Sequence, residues 1–461
     1  MHWHSSGPIF LSAYLLGAGL ASLHALLTKP DPRSVLSWIA VCGLIPFGGV
    51  ALYALFGINR VRRPQLPWGA ASAPRAADPV YPVALAAQVR IGDALTRRPL
   101  VGGNVLETLH DGEQAFPRML EAIGNARDSV WLSTYIFQTD QVGRQFVAAL
   151  GAAVRREVQV RVLVDGIGEW YDWPHVVPIL RRAGVPAERF LPPRLLPPSL
   201  SLNCRNHRKI LIVDGSVAYI GGMNLGGREV GGSTGRRMSD IHFRLCGPIV
   251  AQLGETFAED WLFASGEALP APATTGRAGD CTCRAVPGGP DGDVDNLLLI
   301  ILSAVTGAEK QVQIMTPYFI PPLELVAALE AAALRGVAVS LVLPRRSNLR
   351  YIDWATLHWI PALVRRGVRV HLQEPPFSHA KLLVIDGRYA HVGSVNVDTR
   401  SLRLNFEIAV EVYDPDFCGQ LAAFIAQRAG SVPALTTESM AAIRLPQRIR
   451  NALCWLISPY L

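Results

Sequence analysis

The sequence predicts an α/β fold built twice, behind an apolar N-terminal helical hairpin. Three observations predict it. The same succession of apolar runs and helical stretches occurs in both halves of the chain, each copy carries His-x-Lys-x4-Asp at the same place, and two long uncharged runs precede both copies.

The hairpin comes first. No charge interrupts the apolar run from Pro8 to Thr28, or a second run from Ser34 to Asn59, so each is long enough for a helix to cross the roughly 30 Å of hydrocarbon in a bilayer. The link Lys29-Pro-Asp-Pro-Arg33 is short and breaks helices. Residues 1–63 are therefore expected as a transmembrane hairpin with helices at about 8–28 and 35–58. Nothing basic precedes the first run and a second apolar run follows it, which argues against a cleaved signal peptide. Arg60, Arg62 and Arg63 after the second helix outnumber Lys29 and Arg33 in the link, which points the remainder of the chain to the cytoplasm. The Pro/Ala-rich stretch from Pro64 to Ala84 opens a linker expected over 64–101.

Composition agrees with a membrane location. Half of the 461 residues are hydrophobic and the mean hydropathy is +0.23, high for a soluble enzyme. A net charge of +7 favours anionic partners such as phosphates or an acidic membrane surface. The seven cysteines are scattered, without the paired spacing of a zinc site, and are expected as free thiols.

The repeat then unfolds in order. In the first copy, expected over 102–270, the β-like run Ser129–Phe137 precedes a helix around Phe146–Arg156 and a strand Val158–Val164. In the second, expected over 288–461, Val312–Phe319 precedes a helix Leu323–Leu334 and a strand Val337–Leu343. The Gly-, Pro- and Thr-rich residues 271–287 read as the connection between halves. Tyr135 and Tyr318 occupy equivalent places and read as core aromatics.

Each copy next reaches its polar cluster, His207-Arg-Lys209-x4-Asp214 in one and His379-Ala-Lys381-x4-Asp386 in the other. Strand alternation puts His and Lys on one face, where both can address one ligand. Asp214 and Asp386 fall on the opposite face and read more readily as turn stabilisers than as reacting groups. Past each turn, Gly221-Gly-Met-Asn224 and Gly393-Ser-Val-Asn396 offer small residues for a close backbone approach to phosphate and an amide to donate to it. Farther on, Asp240 aligns with Glu407, a carboxylate in each half able to hold the ring N–H of its own half's histidine.

From about Gly102 onward these residues resemble the phospholipase D superfamily and, within it, the bacterial cardiolipin synthases. The resemblance rests on Arg205-Asn-His-Arg-Lys-Ile-Leu, Gly221-Gly-Met-Asn, Thr316-Pro-Tyr-Phe-Ile-Pro, and the run from Gly393 to Glu407. The chain differs from the usual pattern at Phe377-Ser378 and in Arg237–His242, both beside the clusters. The resemblance implies two pseudo-symmetric phospholipase D-like halves sharing one metal-free site, with no cofactor. It also implies transfer of a phosphatidyl group between two phosphatidylglycerol molecules through a phosphohistidine, at a bacterial inner membrane and with no nucleic-acid partner. His207 is then the nucleophile and His379 the acid and base, with the reverse assignment left open by the pseudo-symmetry, and Lys209, Lys381, Asn224 and Asn396 lie around the phosphate oxygens. Rival readings are a hydrolase or nuclease of the same superfamily and a catalytically dead membrane scaffold. The segment Ile443–Leu461 mixes Arg with Leu, Ile and Trp and is expected to lie at the membrane interface.

Overall fold

The computed structural model describes residues 6–29, 31–58, 61–62, 64, 66, 81–193, 204–231, 237–272, 275–291 and 294–456. They belong to two units, one of residues 1–62 with 192–203, the other of residues 63–191 with 204–461.

In the smaller unit Ser6–Thr28 is a single helix, and its stretch Pro8–Thr28 is the one among the described residues long and apolar enough to cross a membrane. Its small residues Ala18, Ala21 and Ala25 pack against Trp38, Cys42 and Tyr53, while Leu16, Leu20 and Leu27 point outward. The second run does not form the single helix expected over 35–58. It makes a helix Pro32–Leu44, a turn, and a short α/π segment from Gly48 to Gly57. Pro46 is the cause, because it offers no N–H to the Cys42 carbonyl and its ring would collide with that carbonyl. Thirteen helical residues rise only about 20 Å, short of the hydrocarbon thickness.

The larger unit is organised by its strands. The first half supplies β1 (Val101–His110), β2 (Ser129–Thr134), β3 (Gln159–Asp165), β4 (Ala187–Phe190), β5 (Ile210–Val213), β6 (Val217–Gly221), β7 (Met238–Ser239) and β8 (Ile241–Cys246). The second supplies β9 (Cys281–Gly288), β10 (Gln311–Met315), β11 (Phe319–Ile320), β12 (Ala338–Pro344), β13 (Arg369–Gln373), β14 (Phe377–Ser378), β15 (Leu382–Ile385), β16 (Tyr389–Gly393), β17 (Val397–Asp398) and β18 (Glu407–Val412). Fourteen of them form one mixed sheet in the order β13-β12-β10-β15-β16-β18-β9-β1-β8-β6-β5-β2-β3-β4. Read from its centre the order is the same in both directions, which is the repeat made visible.

The seam differs from the sequence reading. Residues 271–287, expected as a connection, contain most of β9, which is buried along its whole length and pairs with β18 on one side and β1 on the other. The expected linker 64–101 likewise contains a helix, Ala86–Thr96, whose Gln88 bonds Glu411 and whose Asp93 meets Arg284 of β9. Helices cover both faces of the sheet, and each half has its own apolar core, around Leu132, Phe146 and Val162 in one and Ile314, Leu329 and Leu341 in the other. All seven cysteines are free, as expected.

Candidate active site

The two histidines enter the site on short stretches that each pair with the other half. The His207 N–H donates to the Phe406 carbonyl (2.8 Å), and the Phe406 N–H to the Arg205 carbonyl (2.8 Å). In the symmetry-related place β14 pairs in parallel with β7, and the His379 N–H donates to the Ser239 carbonyl (2.7 Å). The two stretches that depart from the family pattern are thus partners in one ladder.

This exchange of strands decides the hydrogen bonding of the rings. His207 Nδ1 lies 3.0 Å from the Glu407 carboxylate, and His379 Nδ1 lies 3.0 Å from Asp240. Each carboxylate therefore serves the histidine of the other half, not of its own half as the aligned positions suggested. Alignment reveals equivalence, whereas contact follows from the crossed pairing of Asn206 with Phe406 and of Ser378 with Ser239. With Nδ1–H given to a carboxylate, Nε2 of each ring is left with its lone pair for chemistry.

Both carboxylates are fully buried and are fitted differently. Gly222 leaves room for Asp240, since a β-carbon there would collide with its oxygens. At the equivalent place Ser394 donates its hydroxyl to Glu407. Arg208, between His207 and Lys209, is buried and bonds the Glu407 carbonyl (2.8 Å), the Gly288 carbonyl (2.8 Å) and Asp260 (2.6 Å). It ties the first half to two strands of the second; the second cluster has Ala380 in its place.

Lys209 and Lys381 are buried beside the rings, each bonded to the carbonyl of its own cluster's histidine. Burial pushes Lys209 down to about 7, with Glu407 opposing and Lys381 assisting. Lys381 is pushed down to about 8, again by burial. Burial holds the His207 imidazole below its usual range against the pull of Glu407, and takes His379 down to about 4 with help from Lys381. Charges from both halves thus act on one another in one small volume. An anionic phosphodiester entering it would return protons to the lysines.

Asn224 accepts from the Ile136 N–H (3.2 Å) through its side-chain oxygen, leaving its NH2 to donate. Asn396 is buried and bonds Ser401 Oγ (3.2 Å), with its own oxygen unpartnered. Turning that amide over lets the oxygen accept from the Ser401 hydroxyl and frees the NH2 for an anion.

Asp214 and Asp386 are not at the reacting centre. Each follows a four-residue strand leading away from its histidine and takes φ of 52° in a turn. Asp214 accepts from the N–H groups of Arg127, Asp128 and Ser129, and Asp386 from those of Glu309, Lys310 and Gln311. They fix the start of β2 and β10.

Tyr135 and Tyr318, expected in the core, line the site instead. Tyr135 lies edge-on to His207 at 5.3 Å with Lys209 Nζ 5.4 Å from its ring, and Tyr318 lies edge-on to His379 at 6.1 Å. Glu229 escaped the sequence reading. It is buried, accepts from the Asn224 N–H (3.2 Å), and is pushed up to about 8 by burial and then by Asp240. Its signal was present, because it follows Asn224 by the same five positions that separate Ser401 from Asn396. Among the described residues no group of three or more His, Cys, Asp or Glu is arranged to hold a metal ion.

Known proteins are similar to this chain. Residues 119–261 and 301–428 match the family described as cardiolipin synthase, PLD-like domain. The cardiolipin synthase A of Pseudomonas entomophila (strain L48) is 32% identical over the full length of both chains. The major cardiolipin synthase ClsA of Bacillus subtilis (strain 168) is 30% identical, over 99% of this chain and 100% of its own. The solved phosphatidylserine synthase of Haemophilus influenzae Rd KW20 shares the fold with a TM-score of 0.63 at 15% identity, over 81% of this chain and 100% of that one.

Proposed function

The chain belongs to the cardiolipin synthase family, whose phospholipase D-like domain it carries twice, and from this we propose that it moves a phosphatidyl group from one phosphatidylglycerol to another with release of glycerol. The observation that carries the reading is the pair of imidazoles from opposite halves, each held through Nδ1 at 3.0 Å by a buried carboxylate and flanked by a buried lysine. Two such rings suit a double displacement.

In the first step His207 Nε2 attacks phosphorus, the bond to the glycerol oxygen breaks, and His379 gives that oxygen its proton. The phosphodiester's negative charge favours the one proton the imidazole pair needs at the start. In the second step His379 takes the proton of a lipid hydroxyl, the new P–O bond forms, and the P–N bond to His207 breaks. The lysines and the Asn224 and Asn396 amides stabilise charge on the remaining phosphate oxygens. His207 is assigned the attack because it is the more open of the two, with 11% of its side chain exposed against 6% for His379.

Basic residues Lys29, Arg33 and Arg62 follow the helix of spanning length Pro8–Thr28, which supports a cytoplasmic catalytic unit. The test is mass spectrometry of products formed from phosphatidylglycerol in mixed micelles without added metal, beside a His207→Ala variant. Cardiolipin and glycerol from the wild type alone are expected. Phosphatidic acid alone would make the protein a hydrolase, and no product would remove phosphatidylglycerol as donor.

A further inference from the structure

Beyond β3 the chain makes a tight turn over Gly168–Tyr171 and presents three large aromatic side chains to solvent within four positions. Trp170, Tyr171 and Trp173 are 61%, 63% and 78% exposed. Their platform is fixed: Asp165 accepts from the Ile167 and Gly168 N–H groups, Glu169 from the Val177 N–H, and Asp172 from the Thr139 N–H. Aromatic rings held rigidly in water need a reason.

Their position supplies one. Tyr171 lies edge-on to Tyr135 at 6.0 Å, and Tyr135 edge-on to His207 at 5.3 Å, so a line of rings runs from solvent to the reacting imidazole. Facing Tyr171 from the second half is the half-exposed Tyr351, at the head of the helix Arg350–Arg365, with exposed Arg346 and Arg350 near it. The same helix carries the C-terminal helix Leu445–Leu456, where Trp455 stacks on His358 at 4.5 Å and Arg450 lies over Trp354, and both His358 and Trp354 are on the helical face that also bears Tyr351. The outer side of the C-terminal helix exposes Leu445, Ile449, Leu453 and Leu456 beside Arg444 and Arg448.

We propose that this rim docks on a bilayer, with the Trp170–Trp173 loop and the outer stripe of Leu445–Leu456 seated at the headgroup level of an anionic phospholipid membrane. Indole and phenol rings, apolar in body and polar at one edge, concentrate at that level, and arginines beside leucines complement anionic headgroups. A lipid could then offer its phosphate to His207 while its acyl chains stay in the bilayer. The inference rests on the reading that the substrate is an anionic membrane phospholipid.

The test uses the full chain in phosphatidylglycerol nanodiscs and a Trp170→Ser/Trp173→Ser variant, which leaves every residue of the reacting centre in place. Turnover of bilayer phosphatidylglycerol should fall roughly tenfold or more, while turnover of a short-chain phosphatidylglycerol dissolved as monomers should stay within about twofold. Equal losses on both substrates, or none on the bilayer, would overturn the docking role. If the wild type turns over neither, the proposed reaction fails, and docking is decided by fluorescence: brominated lipid should quench wild-type emission more than that of the variant. Equal quenching would refute it.

Discussion

Glu407→Gln removes a negative charge from beside an imidazole that belongs to the other half of the chain. The contact is 3.0 Å and both groups are buried. With charge centres about 4 Å apart and an effective dielectric near 20, the carboxylate favours the positive ring by about 4 kcal/mol, or about three pKa units. A glutamine can also donate to Nδ1 and move the ring proton to Nε2, the atom proposed to attack; the comparable Asp→Asn change in a serine protease triad costs about 10⁴ in kcat. Both routes lead to a fall of about 10³- to 10⁴-fold in kcat, with KM nearly unchanged. Initial rates at saturating micellar phosphatidylglycerol measure it. Nitrogen NMR of the histidine rings supplies the second readout: the His207 pKa should drop, because the group that raises it is gone, while His379 keeps its signal. A loss below tenfold, or a change at His379 in place of His207, would refute the crossed pairing.

Three further outcomes follow from the same geometry. Lys209 and Lys381, held at about 7 and 8, are charged below those values and lose their protons above them, so KM for the phosphodiester should rise between pH 7 and 9 by at most roughly tenfold per unit per lysine. A flat KM over that range would contradict it. Asp214→Ala removes the acceptor of three backbone N–H groups and should cost about 2–4 kcal/mol in denaturant unfolding while the folded enzyme keeps its kcat; a hundredfold loss of kcat at unchanged stability would return Asp214 to the chemistry. Arg208→Ala removes the buried ion pair to Asp260 together with the hydrogen bonds to the Glu407 and Gly288 carbonyls and should cost about 3–5 kcal/mol, and a change under about 1 kcal/mol by the same measurement would show that the tie between halves is dispensable.

Periodicity and repetition made most of the larger unit legible. The helix Leu323–Leu334 lies where its pattern put it, and β2, β3, β10 and β12 agree with their sequence ranges to within a few residues. Two copies of one motif pointed to the two imidazoles that the fold brings together, because alternation fixes which side chains share a face of a strand. Most of what stayed hidden depended on contacts between segments far apart in the chain. β9 is a two-sided central strand, so its composition lacks the alternation that marks a half-buried one, and flanking Gly and Pro made it look like a connection. Pro46 lay in plain view within an uncharged run, and hydropathy averaged over that run concealed the break it makes. The partner of each histidine could not be read from alignment, because self-comparison relates equivalent residues and the site joins non-equivalent ones.

That exchange of carboxylates bears on how such a protein can come apart or come together. A lone copy of the repeat would carry an imidazole without its acceptor and an acceptor without its imidazole, and would be inert however well it folded. Two lone copies meeting about a true twofold axis would lend each other what each lacks. The fused chain therefore behaves as a symmetric pair of subunits with a peptide tether, in which an inherited change at Glu407 or Asp240 is felt as damage to the opposite copy.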